Sequence, residues 1–219
     1  SPPHPDCRTP SENRLLPCRA ATIIQPPRHQ TLILIVALLA PRSSRYKAGI
    51  DTWAKARRAN GMPVSDSAVK DYGRPDYAMA HSLAHALLTE VAIDCGYPAS
   101  SLRERIYVLR RAPGDAIRCG ILIYTASAGN QGTLGGLVDV TRRFRKVLAS
   151  ALERLRLCSG VPVCADHDPV RAIDDRALHG AACHGCLLVS ETSCEVRNLL
   201  LDRALLVNTV GTTGASYFP

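Results

Sequence analysis

Gly180-Ala-Ala-Cys-His-Gly-Cys-Leu-Leu-Val-Ser-Glu-Thr-Ser-Cys-Glu195 places Cys183, Cys186 and Cys194 within twelve residues, in the spacing C-x2-C-x7-C. A two-residue gap lets both thiolates of a tight turn face one ion, and a third arrives after a short excursion. Cys158 and Cys164 lie upstream, and either can supply a fourth ligand. A tetrahedral thiolate set suits zinc best. The alternatives are reduced, buried cysteines that pack like small hydrophobes, and disulfides. The spacing therefore predicts a cysteine knuckle on which the last third of the chain is folded.

Upstream of the knuckle, Thr141 to Leu157 reads as an amphipathic helix. Phe144, Val147, Leu148, Ala151, Leu152 and Leu155 form its apolar stripe. Arg142, Arg143, Arg145, Lys146, Arg154 and Arg156 line its other faces, a basic surface that is either a phosphate contact or simply solvated. Cys158 and Cys164 follow directly at its end. Earlier still, Gly120-Ile-Leu-Ile-Tyr124 is a continuous apolar, β-branched run that suits a central buried strand. It opens into a stretch with glycines at 129, 132, 135 and 136. Strand, glycine-rich loop and helix is an arrangement that can cradle an anion. No Lys-Ser/Thr follows the glycines and the G-x-G-x-x-G order is absent, which excludes a Walker A loop and a Rossmann fingerprint. A tight strand-to-helix connection is the plainer reading.

Asp76 to Cys95 reads as a second helix. Leu83, Leu87 and Val91 recur at four-residue steps, Asp76 is a candidate N-cap, and Gly96 is a candidate C′ glycine. His81 and His85 share one face of it. They could bind a metal or phosphate, but position 82 is Ser, so no H-E-x-x-H motif exists. The plainer reading is a pair packed on the core and hydrogen-bonded to backbone or a carboxylate. Ser101 and Glu104 form a capping-box pair and predict a short helix there. Arg197 to Val207, packed by Leu200, Ala204 and Val207, also reads as a helix.

The chain has 219 residues, 46% of them hydrophobic, which is ample for a core. Nine cysteines, an odd number, and no secretory signal at the start argue for a reducing cytosol rather than a disulfide framework. No apolar run approaches the roughly 18 residues that span a bilayer. Thr31 to Ala40 is too short and reads as a buried strand or short helix. The net charge of +8 is concentrated early: residues 1–60 hold ten Lys/Arg against three Asp/Glu. Residues 1–30 are rich in Pro and Arg, which predicts an extended or disordered arm. Cys7 and Cys18 lie in it, too sparsely spaced to make a strong metal motif. A short basic helix over Ile50 to Ala59 is expected next, then a loop from Gly61 to Pro75. The division that follows is a basic, Pro-rich, partly disordered extension over 1–75, an ordered α/β domain over 76–210, and a tail over 211–219.

Four separated segments carry a resemblance. They are His81-Ser-Leu-Ala-His85; Ser101-Leu-Arg-Glu-Arg-Ile-Tyr107; Gly120-Ile-Leu-Ile-Tyr-Thr-Ala126 with Gly132-Thr-Leu-Gly-Gly136; and Cys183 to Arg203. In this order they resemble the cysteine-rich C-terminal domain of MrfA-like superfamily II DNA helicases. They are closer still to the version in the helicase-associated DrmB subunits of DISARM antiphage systems. The resemblance covers about residues 78–210 and leaves 1–75 unassigned. It implies a zinc-binding domain that works beside a helicase in a bacterial cytoplasm. By position, the family's ligands fall on Cys164, Cys183, Cys186 and Cys194, with Cys158 competing for the upstream place. No G-K-T/S phosphate loop and no D-E-x-H occur, so ATP hydrolysis is not expected of this chain and a partner supplies the motor.

Two function classes follow. The first is a non-catalytic, Zn2+-binding accessory module of an antiviral defence system, docking a DNA helicase subunit of the same system, with DNA as a candidate contact and no membrane. The second is a metal- or His-dependent hydrolase acting on nucleic acid, in which His81, His85, Glu90 and Asp94 gather with the glycine-rich loop. A third possibility is a detached fragment of a larger helicase-associated subunit. The expected fold is α/β: a small, mainly parallel sheet around 119–126, flanked by the helices at 77–95 and 141–157, with the zinc knuckle packed on its end.

Overall fold

The computed structural model describes residues 21–24, 31–38, 44–64, 75–109, 117–126, 136–166, 179–211 and 216–218. Of the expected arm over 1–30 only residues 21–24 are described; Cys7, Cys18 and most of the glycine-rich loop fall outside these.

Among the described residues four strands form one sheet: β1 (Ala21–Ile24), β2 (Thr31–Leu38), β3 (Leu102–Leu109) and β4 (Ile117–Thr125), in the order β1-β2-β4-β3. Every neighbouring pair is antiparallel, which corrects the expected mainly parallel sheet. The connections explain the difference. Six residues separate β1 from β2 and seven separate β3 from β4, whereas a parallel pair needs a crossover of about a dozen or more. The apolar run at 31–38 is a strand. It lies between β1 and β4 and pairs with β4 along its whole length, Thr31 opposite Tyr124 and Leu38 opposite Ile117. Two of the four strands thus come from the stretch expected to be an extension. So does helix α1 (Ser44–Ala59), which buries Ile50 and Ala54.

Helix α2 (Pro75–Cys95) is the centre of the molecule. Buried residues run almost without break from Ala78 to Leu88, as a helix enclosed on all sides requires. It ends at Gly96, whose φ of +69° suits a residue without Cβ. There Tyr97 N–H donates to Ala92 O at 3.0 Å and Gly96 N–H to Ile93 O at 3.4 Å, the paired bonds of a Schellman cap.

The predicted amphipathic helix is α3 (Gly136–Arg156), which starts one turn and more before the expected Thr141. Leu137, Val140, Phe144, Val147, Leu148, Ala151, Leu152 and Leu155 are buried, and the helix packs on α2. Arg143 bridges to Asp94 at 2.9 Å and Arg154 to Glu90 at 3.4 Å, fixing the two helices at their polar edge.

Two expected helices are absent. Ser101 closes a 3-10 turn (Ala99–Ser101) and donates to Pro98 O, and β3 begins at once. Leu102, Glu104 and Ile106 alternate with Arg103, Arg105 and Tyr107, the period of a strand with one buried face. The segment Arg197 to Val207 is a set of turns, with one 3-10 turn at Arg203–Leu205. Arg197, Asn198 and Leu200 all have positive φ, which no continuous right-handed helix permits. The Asn198 side chain holds this shape by pairing with both backbone groups of Val189, at 3.0 and 2.8 Å.

Candidate metal centres

The described cysteines carry no disulfide, and two compact clusters of ligating side chains stand out. The first joins Cys158, Cys164, Cys183 and Cys186. Cys158 follows the last turn of α3. Cys164 stands in the short helix α4 (Val163–Asp166). Cys183 and Cys186 lie on the turn in which Cys186 and Leu187 N–H both donate to Cys183 O. The four Sγ atoms lie within 4.8 Å of one another. Sγ–Sγ separations are 3.5 Å for Cys158 and Cys183, 3.7 Å for Cys183 and Cys186, and 3.8 Å for Cys164 and Cys186. A tetrahedral zinc with Zn–S near 2.3 Å has an S···S edge of about 3.8 Å. The residues present therefore fit the ion.

Backbone N–H groups point at two of the sulfurs. Gly160 N–H donates to Cys158 Sγ at 3.4 Å and Cys183 N–H to Cys186 Sγ at 3.3 Å. The hydrogen bond from Cys186, helped by the guanidinium of Arg203, draws the Cys164 thiol down from 9.0 to about 5. Cys186 is pushed up by the same shared bond to Cys164, and Cys183 is pushed up by burial. Arg203 is buried, and its Nη1 donates to Leu155 O at 2.6 Å, at the end of α3.

The second cluster joins His81, His85, Glu104 and Cys194, all buried. His81 and His85 project from one face of α2, Glu104 from the buried face of β3, and Cys194 from the turn after a 3-10 segment at Glu191–Ser193. His81 Nε2 lies 2.8 Å and His85 Nε2 3.1 Å from the same Glu104 Oε1, and His81 Nε2 is 3.2 Å from Cys194 Sγ. Burial alone would lower His85, but the bonds to Cys194 and Glu104 outweigh it and raise it from 6.5 to about 10; His81 is raised for the same reasons. Burial alone would raise Glu104, but the two imidazoles hold it down near 2. Burial likewise opposes ionisation of Cys194, which His81 and His85 bring down to about 7.

The four ligands carried over by position from the family thus divide between the clusters. Cys164, Cys183 and Cys186 come together, and Cys158 stands with them. Cys194 lies with the histidines instead, 3.2 Å from His81 Nε2. The hydrolytic quartet does not assemble: Glu90 is bound to Arg154 and Asp94 to Arg143. Glu104 is the functional residue the sequence reading missed. Its signal was a carboxylate at an inward position of an alternating strand, hidden while Ser101 to Glu104 was read as a helix start.

Comparison with known proteins bears on both clusters. The family described as the MrfA Zn-binding domain matches residues 83–187. That range contains Cys158, Cys164, Cys183 and Cys186, together with His85 and Glu104, and excludes His81 and Cys194. A protein described as DISARM protein DrmB, from Bacillus paralicheniformis, is 35% identical over 182 residues. The match takes in 82% of this chain and 29% of that protein, so the chain spans less than a third of the relative's length. With the four-cysteine geometry, these matches make Zn2+ the cofactor of the domain.

Proposed function

We propose that the chain, whose residues 83–187 match the family described as the MrfA Zn-binding domain, is a non-catalytic accessory module of a DISARM-type antiphage system, acting in the bacterial cytoplasm beside a DNA helicase subunit. The observation that carries the reading is the convergence of the Cys158, Cys164, Cys183 and Cys186 thiols on one point. These four hold the zinc. Four protein ligands close the coordination sphere and leave no position for water or substrate, the mark of a structural rather than a hydrolytic site.

The ion's work is mechanical. It ties the end of α3, helix α4 and the 183–186 turn into one unit, and through that turn it fixes the path of the C-terminal segment over α2. Four thiolates around a dication leave two net negative charges in a largely buried place, and Arg203 lies against them to offset part of that charge. The platform so formed presents Arg142, Arg145 and Lys146, all exposed on the outer face of α3. Their spacing suits contact with a phosphate backbone. The similarity to DrmB supports a role within the defence system. The motor, for which no phosphate loop exists in this sequence, belongs to the helicase subunit.

Zinc content and co-purification with a DISARM helicase subunit test the reading together. The expected result is bound zinc and a stable complex in the wild type, with both reduced in a Cys183→Ser, Cys186→Ser variant. A metal-free wild type that still folds and binds the helicase would overturn the zinc-dependent platform. A zinc-loaded chain that never binds the helicase would overturn the partnership.

A further inference from the structure

We propose that His81, His85, Glu104 and Cys194 form a second structural zinc site, separate from the four cysteines. The argument starts from His85. Its Nδ1 is 2.8 Å from the carbonyl oxygen of Leu187. A carbonyl can only accept, so Nδ1 carries the hydrogen. In the neutral ring Nε2 then bears a lone pair, and that lone pair points at Glu104 Oε1 at 3.1 Å. His81 Nε2 points at the same oxygen at 2.8 Å and at Cys194 Sγ at 3.2 Å. Two ring nitrogens, a carboxylate oxygen and a thiol sulfur therefore face one another in a volume closed to solvent. A positive charge has to lie among them.

Protons alone can supply it, but only by keeping imidazolium rings buried beside one another, their centroids 4.5 Å apart. That arrangement still leaves Glu104 Oε2 buried without a hydrogen-bond partner among the described residues. One divalent cation does the same work more simply. It takes both Nε2 lone pairs, neutralises one carboxylate and one thiolate, and leaves no net charge behind. Glu104 Oε2 is then free to share the ion. Ideal tetrahedral edges for this donor set are about 3.3 Å for N···O and about 3.5 Å for N···S. The observed separations fall within about half an ångström of these.

The supporting groups are those of a ligand set. A ring N–H held by a backbone carbonyl is the usual way a ligating histidine is oriented. Asn198 N–H donates to Cys194 Sγ at 3.2 Å, as thiolate ligands require. Histidines four residues apart on one helix face converge without strain. Mixed nitrogen, oxygen and sulfur donors suit zinc above calcium or magnesium. All four ligands come from the protein and none is open to solvent, so the ion is structural. It would pin β3 and the 186–198 segment to α2.

Metal analysis with zinc-edge X-ray absorption on the full chain, grown with zinc, decides the matter without any variant. Two zinc ions per chain, with nitrogen and oxygen as well as sulfur in the averaged first shell, support the second site. One zinc with a sulfur-only shell overturns it and leaves the four-cysteine site standing. One zinc with a mostly nitrogen and oxygen shell keeps this site and overturns the ligand set Cys158, Cys164, Cys183 and Cys186; no zinc overturns both. In folded variants, His81→Gln should drop the content to one zinc with a sulfur-only shell. Cys183→Ser with Cys186→Ser should drop it to one zinc with the mixed shell.

Discussion

The Nδ1 of His85 lies 2.8 Å from the carbonyl oxygen of Leu187, the residue that follows Cys186. One hydrogen bond therefore joins the centre of α2 to the turn of the cysteine knuckle, 102 residues away in sequence. Whatever fixes that turn also fixes the tautomer and aim of His85. The two clusters are neighbours, joined by this one hydrogen bond.

Gly160 offers a way to disturb the knuckle gently. A Cβ added there would sit 2.9 Å from Cys183 Sγ, closer than real contacts allow, and a tight 3.2 Å from Cys164 Cβ. Gly160→Ala should thus push the 158–164 turn outward and misalign the thiolates. Zinc affinity at the cysteines should fall by about 10–100-fold, the usual cost of disturbing the support of a metal ligand. Competition with a chromophoric chelator reads the affinity, and circular dichroism should show the helices unchanged. An unaltered affinity would mean that the turn is not held by the metal.

Arg203 is a buried cation beside a cluster that carries net negative charge with zinc bound. Removing one partner of a buried charge pair costs about 3–5 kcal/mol, because the other charge is left uncompensated. Arg203→Met should therefore destabilise the zinc-loaded chain by about that much in urea unfolding. It should also weaken zinc binding, since the guanidinium helps to keep Cys164 ionised. Arg203→Lys should restore part of the stability. A methionine variant as stable as wild type with zinc bound would show that the charges are not coupled.

Much of this architecture was readable in the sequence wherever a period was long. Helices α2 and α3 showed themselves by apolar repeats over five or six turns, and the C-x2-C pair at Cys183 and Cys186 announced the knuckle. What was not readable depended on the third dimension. Cys194 lies eight residues beyond Cys186, near enough in sequence to read as a ligand of the same ion. Only the folded arrangement puts the two in different clusters. Glu104 was misread because Ser101-x-x-Glu104 satisfies a capping box, while the strand pairing of Ile106 with Ile121 outweighs that local preference. Strand direction, too, is settled by loop length and pairing, not by the apolar content of β4.

Leu152→Ala separates packing from metal. Leu152 is buried in α3, which packs on α2, and belongs to neither set of ligating side chains. Truncation leaves a cavity and should cost about 2–5 kcal/mol in chemical denaturation. Zinc content of the purified variant should equal that of wild type. Loss of zinc here would mean that the metal sites depend on global stability alone, and would weaken every inference drawn from the cysteine and histidine variants.

The pH dependence of stability should differ between zinc-loaded and metal-free protein. In the metal-free chain His85 is raised from 6.5 to about 10. Its contribution is whole below 6.5 and is lost as pH rises through about 10. Glu104 is lowered from 4.5 to about 2, so its contribution is whole above 4.5 and is lost as pH falls through about 2. Between those limits the stripped cluster stabilises the fold by itself. Zinc reverses the acid side of this behaviour. To bind, it must displace the proton on His85 Nε2 and any on Cys194, so protons compete with it. The rise in Tm on adding zinc should therefore shrink steadily from pH 8 towards pH 5. The Cys183→Ser, Cys186→Ser background isolates the histidine cluster for the measurement. A zinc-induced rise that persists there and grows with pH fits coordination by His81, His85, Glu104 and Cys194. No rise at any pH in that background would mean that the four groups hold only protons.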